Sequence, residues 1–235
     1  MKPAINKPPG SPPPLPTVVG DLAKRLGARE ELAGETVRLT QTGSMRSGAH
    51  QAFRSFSARQ TIRLSQCEFR WQARTGPFGL IRITDAFSDG TPTLDITALG
   101  LVPLAHGQTN ASATKGEIMR YLAELAWAPD ALLHNHTLDW DVIDDRGLAV
   151  RYSEGAIQAA VDLLFDDQRR IGAIFAPDRP RYEDGRFVER PWHGRFFDYR
   201  QHEGRWLPFQ AEVAWIIDNR EVIVWRGKLT GWQVG

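Results

Sequence analysis

Glu117, Arg120 and Glu124 stand three and four residues apart in the segment Gly116-Glu117-Ile118-Met119-Arg120-Tyr121-Leu122-Ala123-Glu124. On a helix that spacing brings all three close to one face. Two readings follow. A solvated ladder of ion pairs is worth roughly 0.2–0.5 kcal/mol per pair. If Glu117 and Arg120 instead point inward, they must be paired or neutralised, and they become an anchor for a polar head group. His193, within Pro191-Trp192-His193-Gly194-Arg195-Phe196, is the histidine best suited to proton transfer, because an unperturbed imidazole titrates near neutrality. Glu212 sits in Phe209-Gln210-Ala211-Glu212-Val213-Ala214-Trp215, where alternation groups Gln210, Glu212 and Ala214 on one face and Ala211, Val213 and Trp215 on the other. Whether Glu212 meets solvent or a cavity depends on which set is covered. Glu117, His193 and Glu212 are thus the candidates for acid–base chemistry.

The eight tryptophans are many for 235 residues, and nearly all fall in strand-like segments. Indoles serve equally as core and as rigid cavity walls with one donor each. Trp127, Trp192 and Trp215, with Arg120 and Tyr121 from the helix, are the candidate ligand-binding residues. His134-Asn135-His136 supplies two imidazoles and no evident third ligand, and the nearby aspartates lack the calcium-loop order, so no metal is expected. No Gly-x-Ser-x-Gly, phosphate-binding loop or dinucleotide fingerprint occurs, and no cofactor is expected. Cys67 is the single cysteine and reads as a buried, inert thiol.

These side chains have to be positioned by a mainly β chain. Val37, Leu39, Gln41, Gly43 and Met45 alternate with Thr36, Arg38, Thr40, Thr42 and Ser44, the period of a half-buried strand. Comparable runs occupy 53–64, 67–75, 78–87, 137–144, 148–152, 156–165, 171–176, 187–199, 206–217 and 222–229. Turn signals such as Asp145-Arg146-Gly147, Glu183-Asp184-Gly185 and Glu203-Gly204 separate them, and Gly185-Arg186 and Gly204-Arg205 read as plain hairpin turns. Two helical patterns interrupt the strands. The first covers 17–32 and is ended by Gly34. The second runs from Glu117 to Ala126, with Thr114 and Glu117 as a capping box, and Pro129 opens a further short turn at 130–133. The expectation is an α+β fold. About ten antiparallel strands form a strongly curved half-barrel wrapped around a central amphipathic helix, because one helix cannot cover both faces of so large a sheet.

Residues 1–16 hold seven prolines and are expected to be a disordered tail, leaving 17–235 as a single domain. No apolar run long enough for a signal peptide or a membrane span is present, so stable membrane insertion is not expected and the expected address is the cytoplasm. With 29 basic and 28 acidic side chains interspersed, the net charge of +1 offers no basic block for nucleic acid.

The order of motifs resembles a bacterial family known only as a domain of unknown function. The likeness extends from about Thr17 to Trp232, and its most specific part is Gly-Glu-x-x-Arg-Tyr-Leu-Ala-Glu with Trp127-Ala128-Pro129, followed by Pro191-Trp192-x-Gly-x-Phe196. The strand and helix order is also similar to the LolA/LolB-type lipoprotein carriers, whose concave sheets hold acyl chains, although the export signal of those carriers is not expected here. The expected function is binding of an apolar or amphipathic small molecule in the half-barrel, its polar end met by Arg120. The alternatives are an acid–base enzyme of isomerase, cyclase or hydrolase type using the same cavity, and an interaction protein with a filled core.

Overall fold

The computed structural model describes residues 15–99 and 102–235; the proline-rich segment falls almost wholly outside them. Thirteen strands form one antiparallel sheet, not about ten. The amino-terminal series is β1 (Thr36–Met45), β2 (Arg54–Arg63), β3 (Phe69–Thr75), β4 (Ile81–Ser88), β5 (Thr91–Ala98) and β6 (Val102–His106). The carboxy-terminal series is β7 (Asp139–Asp144), β8 (Gly147–Glu154), β9 (Ile157–Phe165), β10 (Ile171–Glu183), β11 (Arg186–His202), β12 (Arg205–Ile217) and β13 (Arg220–Val234).

The order across the sheet is β6-β5-β4-β3-β2-β1-β13-β12-β11-β10-β9-β8-β7. Two meanders therefore run outward from a central seam between β1 and β13, where Thr36 and Gly235 exchange backbone hydrogen bonds of 3.0 and 2.9 Å. The chain leaves the first meander at one edge and must enter the second at the opposite edge. The segment that spans this gap is helical: α2 (Ala111–Ala123), a 3₁₀ turn (Glu124–Trp127) and α3 (Ala131–His134). Helix α2 packs on β8, β9 and β10 of one wing and on β4 and β5 of the other, so the sheet curls into a half-barrel.

The strands missing from the sequence reading are β5 and β6. Each contains a proline, at positions 92 and 103, and β6 is an edge strand exposed along its whole length, so no alternation marks it. The second helix is also longer than expected. Asn110, not Thr114, caps it, accepting the Ala113 N–H at 3.0 Å, while Thr114 is buried one turn inside. Nor is the helix simply amphipathic. Thr114, Gly116, Ile118, Met119, Tyr121, Leu122 and Ala123 are all buried, because α2 has sheet on more than one side.

Helix α1 (Thr17–Leu26) stops well short of Leu32. Gly27 takes φ +77°, and a Cβ there would lie 2.2 Å from the Gly204 carbonyl oxygen, so glycine both ends the helix and admits the β11–β12 turn. That turn is a two-residue hairpin, with Glu203 and Gly204 both at positive φ, and the residue after it is buried. Arg205 is only 2% exposed and grips Asp130, itself 1% exposed, through contacts of 3.1 Å from Nε and 2.5 Å from Nη2. Asp130 also accepts the Arg29 N–H at 3.0 Å, which ties the loop after α1, the start of α3 and β12 together. Among the described residues, no helix is long and apolar enough to cross a membrane.

Candidate functional site

Inside the half-barrel lies a cavity of about 360 Å³, walled by Trp71, Trp127, Trp192, Trp215 and Trp225 together with aliphatic residues of both wings. The indoles brace one another. Trp127 meets Phe196 and Trp225 edge-on, with ring centroids 5.4 and 6.3 Å apart, and Trp192 lies 6.4 Å from Trp215. Two of their donors are committed to the frame: Trp127 Nε1 donates to the Pro208 carbonyl at 2.9 Å, and Trp71 Nε1 to Gln41 at 3.1 Å. Trp192 differs. Its ring is 3% exposed and its Nε1 has no acceptor among the described residues.

The polar side of the cavity is a cluster under helix α2. Arg120 pairs with Asp85 of β4 and, through Nε at 3.1 Å, with Glu124; its guanidinium also lies over the rings of Phe69 and Trp71, 4.8 and 5.2 Å from their centroids. Glu124 in turn accepts a hydrogen bond from Gln60. Burial opposes the charge on Arg120, but Asp85, Glu124 and Glu117 outweigh it and raise its pKa. Burial raises the Glu124 carboxyl, with Arg120 and Gln60 pulling the other way.

Glu117 is pushed up to about 8, first by burial and then by the facing Asp85, against the pull of Arg179 and Arg120. Its Oε2 and the Asp85 Oδ1 are both enclosed without a donor among the described residues. A proton on Glu117 donated to Asp85 satisfies both oxygens, which is the arrangement two close carboxyl groups adopt.

A stability test follows. An acid raised in the folded state costs stability progressively as pH climbs from the ordinary carboxylate range through about 8, with a slope of up to about 1.4 kcal/mol per pH unit. Urea unfolding of wild type and Glu117→Gln at pH 5, 7 and 9 should show the variant with the flatter profile and the gain over wild type at the alkaline end. Parallel profiles would mean that Glu117 is ionised throughout.

Of the residues expected at the site, Arg120, Trp127, Trp192 and Trp215 border the cavity. Tyr121 does not. Its hydroxyl donates to the Arg63 carbonyl at 3.0 Å and accepts from Asn135 at 2.8 Å, so it belongs to the packing between helix and sheet. Glu117 is not among the residues that border the cavity. Glu212 borders the cavity, yet its carboxylate pairs with Arg195 at 2.7 Å and Arg226 at 3.6 Å. Arg195 alternates with the cavity-lining Gly194 and Phe196, which puts this network on the outer face of the sheet. His193 shares that face, 3.3 Å from Glu221; burial lowers its pKa, with Glu221 opposing. The three acid–base candidates are therefore not brought together around one space.

Asp85, Trp71, Trp225 and Arg179 also line the cavity and were not foreseen. Arg179 could have been suspected from Pro177-Asp178-Arg179-Pro180, since paired prolines inside a strand signal a bulge. Cys67 is buried, and burial, with Glu154 and Glu68 nearby, pushes its thiol well above the usual range. His134 donates from Nε2 to the Arg29 carbonyl, 2.8 Å away.

The curled antiparallel half-barrel is a LolA-like fold. Two solved structures share it. A LolA superfamily protein from Nitrosomonas europaea superposes with a TM-score of 0.51 at 7% identity, covering 94% of this chain and 93% of its own. A putative outer membrane lipoprotein-sorting protein domain from Vibrio parahaemolyticus gives 0.53 at 10% identity, covering 92% and 90%. The chain itself belongs to DUF6544, a family of unknown function, whose profile matches residues 7–227. No curated protein matches by sequence.

Proposed function

We propose that this protein binds an apolar or amphipathic, lipid-like small molecule in the half-barrel cavity, with helix α2 plugging one opening. The observation that carries this reading is the tryptophan-walled space of about 360 Å³ between the two wings. Small-molecule sites are concave, mostly apolar and furnished with a few placed polar groups, and this volume falls at the small end of their range. It suits a single chain or a compact ring system. The likeness to LolA-type half-barrels supports the shape, while the ligand is argued from the cavity's own walls.

The direct test is native mass spectrometry of protein purified from its own host, followed by titration with a fluorescent fatty-acid probe. Val213 of β12 lines the cavity and is half-buried. Val213→Phe should fill the space and weaken probe binding at least tenfold, with little loss of stability because the ring enters a void. Retention of wild-type affinity by that variant, or absence of both a co-purifying ligand and probe binding, would overturn the proposal.

A further inference from the structure

The charges that border the cavity do not cancel within it. Arg120 is saturated by Asp85 and Glu124. Glu212 is taken up by Arg195 and Arg226 on the outer face. That leaves Arg179 and Arg46. Among the described residues neither has a carboxylate within ion-pair distance, and each makes hydrogen bonds only to backbone carbonyls: Arg179 Nε to Gly116 at 3.3 Å, Arg46 Nε to Ile223 at 2.7 Å and Arg46 Nη1 to Ala49 at 2.9 Å.

The backbone aims Arg179 deliberately. In the β10–β11 ladder Ala176 pairs with Trp192 and Arg179 with Arg190, so β10 carries one extra residue at Pro177-Asp178. A bulge of this kind reverses the alternation and turns the next side chain to the other face. Arg179, which unbroken alternation from Ile174 and Ala176 would place outside, therefore joins the cavity wall. Its guanidinium lies over Trp192, 4.2 Å from the ring centroid, and 5.6 Å from that of Trp215. Stacking holds the plane without using the Nη donors. Beside it sits the Trp192 N–H, buried and lacking an acceptor. A half-buried cation and an orphaned donor on the wall of an apolar space call for an acceptor that the protein itself does not provide.

Resting on the reading of the cavity as a ligand site, we propose that its occupant is a single-chain amphiphile with an anionic head group, a carboxylate or a phosphate monoester, whose charge is met by Arg179. Arg46 is the second unpaired cation bordering the same space.

The experiment uses the full chain and four ligands sharing a dodecyl chain: dodecanoate, dodecyl phosphate, dodecanol and dodecyltrimethylammonium. Affinities are read by displacement of a fluorescent probe at pH 7. At pH 7 the two anions should bind at least tenfold more tightly than the alcohol, and the cation most weakly. Arg179→Met should cost the anions roughly ten- to a hundredfold, the range for a charge-assisted hydrogen bond, and leave dodecanol unchanged. Retained dodecanol binding also shows that the variant is folded. Whichever anion binds better identifies the head group. Equal binding of anions and alcohol by wild type, or an equal loss for all ligands in Arg179→Met, overturns the head-group assignment while the cavity reading stands. Failure of every dodecyl ligand to bind overturns both.

Discussion

Asp130→Ala should be the most damaging single substitution away from the apolar core. It strands Arg205, 2% exposed, without its carboxylate and removes the acceptor for the Arg29 N–H. Breaking a buried ion pair from one side costs about 3–5 kcal/mol, because the remaining charge keeps its desolvation penalty and loses its partner. For a chain of this length that is a fall in Tm of about 6–20 °C. The double variant Asp130→Ala with Arg205→Met should recover part of the loss, since no charge is then left buried. Differential scanning calorimetry of the two single variants and the double completes the cycle. Simple additivity of the two losses would mean that the pair does not interact as the geometry indicates. The effect should be architectural rather than local. Asp130 sits where the helical bridge turns back toward β7, so weakening it loosens the element that spans the two wings.

The second large effect belongs to Arg120, and its signature is a pH dependence. Arg120→Met leaves Asp85 and Glu124 facing one another across a mostly buried space with no cation between them. The cost near neutral pH should again be about 3–5 kcal/mol. Arg120 is what holds the Glu124 carboxyl down against burial, so its removal lets that pKa climb further. A carboxyl raised in the folded state is penalised above its unfolded pKa and relieved as protons return. The variant should thus lie furthest below wild type at pH 8–9 and approach it toward pH 5. Denaturant midpoints at several pH values measure this. A deficit independent of pH would show that the loss comes from packing over Phe69 and Trp71 alone.

Arg120 also shows why the head group in the cavity is assigned elsewhere. From the helix segment alone it is the natural anchor, being an inward arginine among apolar neighbours. In the folded chain two carboxylates reach it first, one from its own helix and one from β4. The i, i+4 contact with Glu124 is written in the local spacing. The contact with Asp85 depends on a strand 35 residues away, and it decides whether the guanidinium is free.

Much of the β framework was legible because its signal is local. Alternation from Thr36 to Met45 gives β1 with its observed bounds, since one face of that strand is covered and the other is not. The Gly-Glu-x-x-Arg-Tyr-Leu-Ala-Glu segment is helical as read, and Trp127, Trp192 and Trp215 line the cavity. The errors arise where a neighbour distant in sequence sets the outcome. Helix α1 ends at Gly27, whose left-handed cap is fixed as glycine by the approach of the Gly204 carbonyl, and the apolar residues beyond, such as Leu32, continue a helical period that the chain no longer follows. Strand β6 has no covered face, so it carries no period to read.

The site divides along the same line. Large indoles announce a wall wherever they fall, because their area must be covered by something. A lone charge on a strand carries no such information, since its face depends on register, and register depends on bulges. One extra residue before Arg179 turns it into the cavity; the unbroken run from Gly194 to Phe196 leaves Arg195, and Glu212 with it, outside. Composition and period thus specified a curved sheet with an aromatic interior, whereas the pairing of strands distant in sequence determined which charges enter it and which of those remain unpaired.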